Sequence, residues 1–181
     1  MSSKDILVYT DGSAVVRGTM AGHGGFGTYF PNLFGKTRAF SKGFSNTKTG
    51  RMEIMALYVA IKVLPKNSSE KINLICYSDS EYVVKTFTEN RLEKWISNNW
   101  QNSSGEVKNI DLWKAVKREL NKRPFLSLHM KHIRSHQVDK CKDIEKKKEL
   151  LKNPHIRGNL IVDRLADYKR HKKFYENDFI K

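Results

Sequence analysis

The sequence predicts an α/β fold in which helices flank a mixed sheet, and two observations support this prediction. Residues 6–44 contain three strand-like segments with no helical pattern between them, which is typical of an antiparallel meander. From about residue 49 onward, segments with helical spacing alternate with strand-like runs, so the later strands are expected to be joined by helices.

The opening segments are short and rich in glycine. Ile6–Tyr9 has the composition of a buried strand, and the turn-prone Asp11–Ser13 is expected to end it. Residues 14–23 are irregular in pattern. Gly24–Phe30 predicts a second strand that is entered through glycines, and Lys36–Phe44 alternates well enough to predict a third.

The rest of the chain alternates between helical and strand-like patterns. A helix from about Thr49 carries Ile54 and Leu57 at helical spacing and ends before Pro65. The other predicted elements are a strand over Lys71–Ser78, a short helix from Ser80 to Phe87, a loop-like stretch over residues 91–105, an amphipathic helix over Asp111–Leu120, a strand over Phe125–Ile133 and a helix over Asn159–Tyr168.

Composition limits the class of protein and of partner. A chain of 181 residues fits one domain, and 39% hydrophobic residues fit a globular protein with a substantial core. The net charge of +15 predicts a polyanionic partner, with nucleic acid favoured over a membrane surface. The alternative is a proteome that is generally rich in lysine, since lysine recurs even in the loops.

The cysteines and the N-terminus bear on where the protein works. Cys76 and Cys141 do not form a disulfide framework, so a reducing interior is the simpler interpretation. The sequence shows neither a signal peptide nor a stretch long enough to span a bilayer, which predicts an intracellular protein. A standalone protein is expected, because Met1 lies just ahead of the first strand, and the protein is expected to be a monomer.

Four acidic residues lie where a strand end or a helix could aim them at one site: Asp11, Glu53, Asp79 and Asp163. Each has an ordinary alternative, namely a turn, a favourable helix-dipole position, an N-cap and a solvated helix face, in that order. Their conjunction instead predicts a shared site for Mg²⁺ or Mn²⁺, which hard oxygen ligands select. Paired metals on a basic protein suggest phosphodiester cleavage.

The motifs around these acids resemble those of the type 1 ribonuclease H family. The matching segments are Tyr9–Ser13, Gly24–Gly27, Arg51–Ala56, Ser78–Val83, Val107–Trp113 and Asn159–Ala166, in the family's order. The resemblance implies a ribonuclease H-like fold with a five-stranded mixed sheet in the order 3-2-1-4-5. It also implies hydrolysis of the RNA strand of RNA–DNA hybrids to 5′-phosphate and 3′-hydroxyl ends. In that family the four matching carboxylates hold two Mg²⁺ ions, for which Mn²⁺ can substitute.

The resemblance also implies an assisting histidine on a loop after the fifth strand. His136 follows the last predicted strand directly and matches that position better than His155, which lies four residues before Asn159. A near-neutral pKa would suit either histidine to proton transfer, so placement decides between them. We therefore expect Asp11, Glu53, Asp79, His136 and Asp163 to form the catalytic set.

Substrate contacts are expected from several further positions. Asn109 matches a position that helps to hold a DNA phosphate, with Thr47 or Lys48 as its partner, although Asn109 could also cap the following helix. Trp95 and Trp100 match an aromatic region that straddles the DNA strand, with local core packing as the alternative. Backbone contacts from Gly12 and Ser13 and a contact from Thr49 complete the predicted set: Gly12, Ser13, Thr47, Lys48, Thr49, Trp95, Trp100 and Asn109.

The sequence departs from the family pattern in three places. Thr49-Gly50 replaces the pair that reads RNA 2′-hydroxyls in many members, so Thr49, backbone amides or Arg17 would have to substitute. The region 97–105 carries few positive charges. A charged insertion at about 137–158 is expected to be helical or mobile and either to cover the site or to extend away from it, and a basic tail begins at about residue 170.

Two alternative functions remain open at this point. One is a non-catalytic nucleic-acid-binding module with the same fold, against which the presence of all four costly carboxylates argues. The other is a related nuclease with an altered duplex preference, which the replaced 2′-hydroxyl readers keep open.

Overall fold

The structure is a computed structural model that describes residues 3–15, 22–167, 169 and 171–176. Its strands are Ser3–Ala14 (β1), Gly22–Leu33 (β2), Lys36–Thr47 (β3), Lys71–Ser78 (β4), Gln101–Asn102 (β5), Gly105–Glu106 (β6), Leu126–His132 (β7) and Phe174–Tyr175 (β8). Its helices are Thr49–Lys62 (α1), Glu81–Thr88 (α2), Arg91–Ser97 (α3), Ile110–Asn121 (α4), Ile144–Lys152 (α5) and Pro154–Ala166 (α6).

The main sheet confirms the predicted α/β fold and the order of its central strands. Its order is β7-β4-β1-β2-β3-β8, in which β3-β2-β1-β4-β7 is the expected arrangement 3-2-1-4-5. The first three strands pair antiparallel, while β1 with β4 and β4 with β7 pair parallel. Parallel neighbours need crossover connections, and α1 and the α2–α4 segment supply them.

The expected count of five strands is wrong, because the described residues add a sixth, β8, at the edge of the sheet. Phe174 pairs with Gly43 and Tyr175 with Phe44 in a short parallel ladder. The ring of Phe174 stacks on His23 at 4.3 Å, and the Lys42 Nζ lies 3.6 Å from the Tyr175 ring centroid. These aromatic contacts draw part of the predicted basic tail onto the sheet.

The predicted turn at Asp11–Ser13 is also wrong, since β1 continues through Ala14. Asp11 pairs with Gly27, Gly12 with Phe26 and Ser13 with Gly25, so the glycine-rich β2 extends the ladder past the turn-prone residues. The irregular segment expected next falls largely on residues 16–21. These residues, which include Arg17, lie outside the described residues.

The core lies between the sheet and α1, with α4 packed on the far side of α1. Side chains alternate along β1, so the buried Ile6 and Val8 face this core while Tyr9 faces α6 on the other side of the sheet. Cys76 is buried and Cys141 partly buried, and both are unpaired as expected. Among the described helices, none has the length and apolar character needed to cross a bilayer.

Helices α1 and α4 are held together at both ends by arginines. Near the N-terminal ends, Arg51 donates from Nη2 to Asp111 Oδ2 at 2.7 Å and from Nη1 to Oδ1 at 3.0 Å. At the other end the buried Arg123 donates to the Glu119 carboxylate at 2.7 Å and to the carbonyl of Lys62 at 2.9 Å. These contacts fix the two helices side by side in the same direction.

The loop expected over residues 91–105 instead contains α3 and the small β5–β6 hairpin. The reason is aromatic packing, since Trp95 is only 8% exposed and lies 5.8 Å from Trp113 between ring centroids. The burial of Trp95 stabilises a helix in a segment whose polar composition favours a loop. The substrate contact expected of Trp95 is thereby corrected to a role in the core.

The charged insertion is helical and extends the last helix. α5 has no buried residue among its described positions, as expected for an exposed insertion. α6 begins at Pro154 rather than at Asn159, because Asn153 caps it by accepting from the His155 and Ile156 amides.

We predict that Arg123→Met destabilises the protein by about 3–5 kcal/mol, because it leaves the buried Glu119 carboxylate with a single partner, Lys122, and removes the donors to the carbonyls of Lys62 and Leu64. Denaturant unfolding measures the change. The double variant Arg123→Met/Glu119→Gln should recover part of the loss, and a single variant as stable as wild type would contradict the role of this pair.

Candidate active site

The sheet brings two of the four predicted carboxylates together at the end of neighbouring parallel strands. Thr10 of β1 pairs with Ser78 of β4, so Asp11 and Asp79 follow paired residues on adjacent strands. Asp11 lies inside β1 rather than at its end, whereas Asp79 directly follows β4 as predicted. Glu53 lies in α1 just past its first turn, not within it as expected, and Asp163 is carried by α6.

Glycine at position 12 sets the distance between α1 and the sheet. A Cβ at Gly12 would lie 2.1 Å from the Glu53 backbone nitrogen, so the helix could not approach this closely over any other residue. Ser80 then orients the Glu53 side chain by donating to its Oε2 at 2.7 Å. The same hydroxyl accepts from the Val83 amide and caps α2, which explains why a serine follows Asp79.

The electrostatics of the site are those of clustered, partly buried carboxylates. Asp11 is 7% exposed, and burial followed by the charges of Asp79 and Asp163 raises its pKa well above the usual range. The Gly12 amide, which donates to Asp11 Oδ1 at 2.7 Å, offsets only part of this. Burial is also the largest cause of the raised pKa of Glu53, Asp79 and Asp163.

The structure places His136 beside these carboxylates. Its Nδ1 lies 3.8 Å from Asp163 Oδ2, its side chain is 47% exposed, and a protonated imidazole at this position lowers the pKa of Asp79 and Asp163. The backbone of His136 is left-handed, with φ of 52°, a conformation that histidine adopts more readily than most residues.

His155, the competing histidine, lies elsewhere. Its Nδ1 is hydrogen-bonded to the Tyr9 hydroxyl at 2.9 Å, and its ring stacks on Tyr77 at 4.2 Å. It therefore joins the N-terminal end of α6 to the tyrosines of β1 and β4. Gly158 permits this packing, because a Cβ there would lie 2.4 Å from the Tyr9 ring.

Three of the predicted substrate contacts serve packing in the structure. Thr47 is 0% exposed, so its side chain cannot reach a bound duplex, and the expectation for it is corrected. Gly12 is covered by α1, and the Ser13 hydroxyl donates to the Ala166 carbonyl at 2.6 Å, which ties β1 to α6. The substrate contact expected of Trp95 is likewise replaced by core packing, as described for α3.

Three of the four remaining predicted contacts, Lys48, Thr49 and Asn109, lie at the N-terminal ends of α1 and α4. Lys48 is exposed at the start of α1, Thr49 is its partly exposed first residue, and neither the Lys48 nor the Asn109 side chain caps its helix. The capping alternative for Asn109 is thus not observed, and its Oδ1 instead accepts from Arg51 Nη1 at 3.4 Å. The two helix starts lie side by side, with the Asn109 Nδ2 3.9 Å from a Cβ built on Gly50.

A basic groove adjoins the small hairpin. Trp100 is partly exposed there, with the Lys114 Nζ 5.6 Å from its ring centroid, and Lys117 and Arg118 also line the groove. The juxtaposition of these residues with Trp100 depends on α3, so it was not predicted.

No role was predicted for Arg51, which binds Asp111 at the start of α4, or for Asp139, which lies beside His136. Arg51 precedes Glu53 in the Arg-Met-Glu motif, so its position was visible, but its partner Asp111 is distant in sequence. Asp139 lies in the insertion three residues after His136, and its Oδ2 is 3.8 Å from the His136 Nδ1. In the sequence, only the three-residue spacing between His136 and Asp139 could have indicated that these side chains lie close together.

The sequence matches the RNase H family model over residues 3–170, which is nearly the whole chain. The chain belongs to the RNase H family. A curated ribonuclease H of Lachnoclostridium phytofermentans is 40% identical over 116 residues, which span 61% of this chain and 70% of that protein. The chain is accordingly an enzyme of the nuclease and hydrolase class.

Solved structures of this family share the fold. LC9-RNase H1, described as a type 1 RNase H with the type 2 active-site motif, aligns with a TM-score of 0.67 at 19% identity, covering 92% of this chain and 72% of that one. LC11-RNase H1, solved in complex with an RNA/DNA hybrid, aligns with a TM-score of 0.56 at 20% identity, covering 90% and 94%. At these identities the likeness establishes the ribonuclease H-like fold alone.

We predict that Asp11→Asn stabilises the metal-free protein at pH 7. A pKa raised in the folded state means that the ionised carboxylate disfavours folding, and this cost disappears as the pH falls through the raised pKa towards the unfolded value. A gain on the order of 1 kcal/mol would raise Tm by roughly 2–4 °C at this chain length. Thermal melts in EDTA from pH 7 to pH 3 measure it, and the gain should shrink with pH.

The exposed Asp5 on the same strand provides the matched control, and Asp5→Asn should leave Tm close to that of wild type. A destabilised Asp11→Asn variant at pH 7 in EDTA would contradict the electrostatic account of the site.

Proposed function

We propose that the chain hydrolyses the RNA strand of RNA–DNA hybrids and leaves 5′-phosphate and 3′-hydroxyl ends. The observation that carries this proposal is the clustering of Glu53, Asp79 and Asp163 around the buried Asp11, whose pKa their charges raise, in a chain of the RNase H family. The hybrid bound to LC11-RNase H1, which has the same fold, supports the choice of substrate.

The donor set fits divalent cations. Asp11, Glu53, Asp79 and Asp163 offer only carboxylate oxygens, which Mg²⁺ prefers and Mn²⁺ accepts. Their mutual repulsion and burial leave negative charge that the described protein groups do not neutralise. Two Mg²⁺ ions held by these four residues would activate a water and stabilise the leaving 3′-oxygen.

The protein's own groups position the carboxylates and exchange protons. Gly12 and Ser80 fix where the Glu53 carboxylate lies, so little reorganisation is needed when substrate binds. His136 is half exposed beside Asp163, and its imidazole can take up or release a proton near the reacting groups while reaching solvent.

Substrate binding is proposed at the two adjacent helix starts and the basic groove. The N-terminal ends of α1 and α4 favour a phosphate, with Thr49 and Asn109 as polar contacts and Lys48 as the charge. Trp100 and Lys114 offer a stacking surface and a cation farther along. One domain carries both binding regions in this proposal, because core residues from β1 to β7 form one cluster, and we propose that it acts as a monomer.

The replacement of the usual 2′-hydroxyl readers by Thr49-Gly50 favours one alternative, a nuclease with a broader duplex preference. In this alternative the same metal site acts on RNA–RNA or DNA–DNA duplexes. Duplex selectivity is therefore measured together with cleavage.

We predict that the protein with Mg²⁺ or Mn²⁺ cleaves the RNA strand of an RNA–DNA hybrid. The assay compares this hybrid with matched RNA–RNA and DNA–DNA duplexes, each labelled on either strand. Asp79→Asn should lower the rate by at least about 100-fold, more than the loss of an outer-shell partner would. Hybrid binding by this variant, followed by fluorescence anisotropy, should persist. Wild-type binding without cleavage under either metal would instead favour the non-catalytic module.

We predict separable effects for the two histidines. His136→Ala should lower kcat by roughly one to two orders of magnitude while leaving Tm near wild type, because this side chain is half exposed and near the carboxylates. His155→Ala should lower stability by about 1–3 kcal/mol through the lost hydrogen bond and ring stacking. Steady-state kinetics and thermal melts on both variants measure this, and the reverse pattern would make His155 the assisting residue.

A further inference from the structure

A small cavity lies where the chain after β7 folds back against α6. Its volume is about 10 Å³, which is enough for one water or one metal ion. His136 and Asp139 line it from the insertion side, and Asn159 and Asp163 line it from α6. Asp11, Glu53 and Asp79 do not line it.

Three of these residues present ligand atoms to one another at close range. The ligand atoms of His136, Asp139 and Asp163 all lie within 4.8 Å of one another. The His136 Nδ1 is 3.8 Å from the Oδ2 of each aspartate. Ligands about 2.1 Å from a shared ion are separated by roughly 3–4 Å, so little movement would bring these atoms into one coordination shell.

Asn159 provides an independent sign of a missing partner. It is 6% exposed, and its Oδ1 is buried without a hydrogen-bond partner among the described residues. Asn159 precedes Asp163 by four residues on α6, which puts both side chains on the same face of the helix. A buried amide oxygen without a partner costs free energy, and a bound cation or its water would satisfy it.

We propose that His136, Asp139, Asn159 and Asp163 form a further divalent-cation site, separate from the four-carboxylate centre except for the shared Asp163. Three oxygen donors and one imidazole favour Mn²⁺ among common hard cations. The ion would fasten the insertion to α6, because Asp139 and His136 precede α5 while the other two ligands belong to α6. This inference concerns cation binding and does not depend on which duplex the protein cleaves.

Mn²⁺ titrations followed by EPR, which reports free Mn²⁺, test the site. The four-carboxylate centre is first disabled with Asp11→Asn/Asp79→Asn, which keeps Asp163 in place. We expect this variant to retain one bound Mn²⁺ per chain and to lose at least about tenfold in affinity when Asp139→Asn is added. Because Asp139 is exposed, folding should be unaffected, as circular dichroism of each variant can verify.

The matched control is Glu145→Gln, which removes the same charge from an exposed position of the insertion. Its Mn²⁺ affinity should equal that of the parent, and Mn²⁺ should broaden the NMR signals of the His136 ring before those of His129. Equal affinity with and without Asp139, or equal losses in the Asp139 and Glu145 variants, would overturn the site. Cleavage of the hybrid by wild type is scored separately, so its failure would not be confused with this result.

Discussion

The site depends on the close contact between the backbones of β1 and α1 at Gly12. Because no Cβ separates them, the Glu53 amide lies against the strand, and the Glu53 carboxylate reaches the acids carried by β1 and β4. A larger residue would push α1 outward together with α4, which packs on it. The placement of one carboxylate and the position of the two adjacent helix starts thus follow from a single steric condition.

The packing around α1 resists the repulsion within the site. The carboxylates are drawn together by the fold, and burial followed by the charges of Asp79 and Asp163 raises the pKa of Asp11, so the ionised acid opposes folding. Arg51 and Arg123 attach α1 to α4 near both ends, and each makes several hydrogen bonds. The energy that holds the acids in place therefore comes from contacts outside the site, as is usual for functional clusters.

What could be predicted from the sequence was mostly local. The Asp79-Ser80 step from strand to helix and the amphipathic face of α4 depend on neighbouring residues, and both are confirmed. The extension of β1 through Gly12 was missed because the pairing comes from β2, which overrides local turn preference. Trp95 was assigned to substrate because only tertiary packing against Trp113 shows it to be buried.

The insertion is best understood as part of the site's support, because it changes the helix that carries Asp163. By starting α6 at Pro154, it adds the turn in which His155 binds the Tyr9 hydroxyl. At the other end of α6, the Ser13 hydroxyl binds the Ala166 carbonyl. Both anchors are on β1, on either side of Asp11, so α6 is fixed against the strand at two points and Asp163 lies between them. A shorter helix beginning at Asn159 would lose the first anchor, and α6 would then be held by Ser13 and by the packing of Val162 and Leu165 over Gly27.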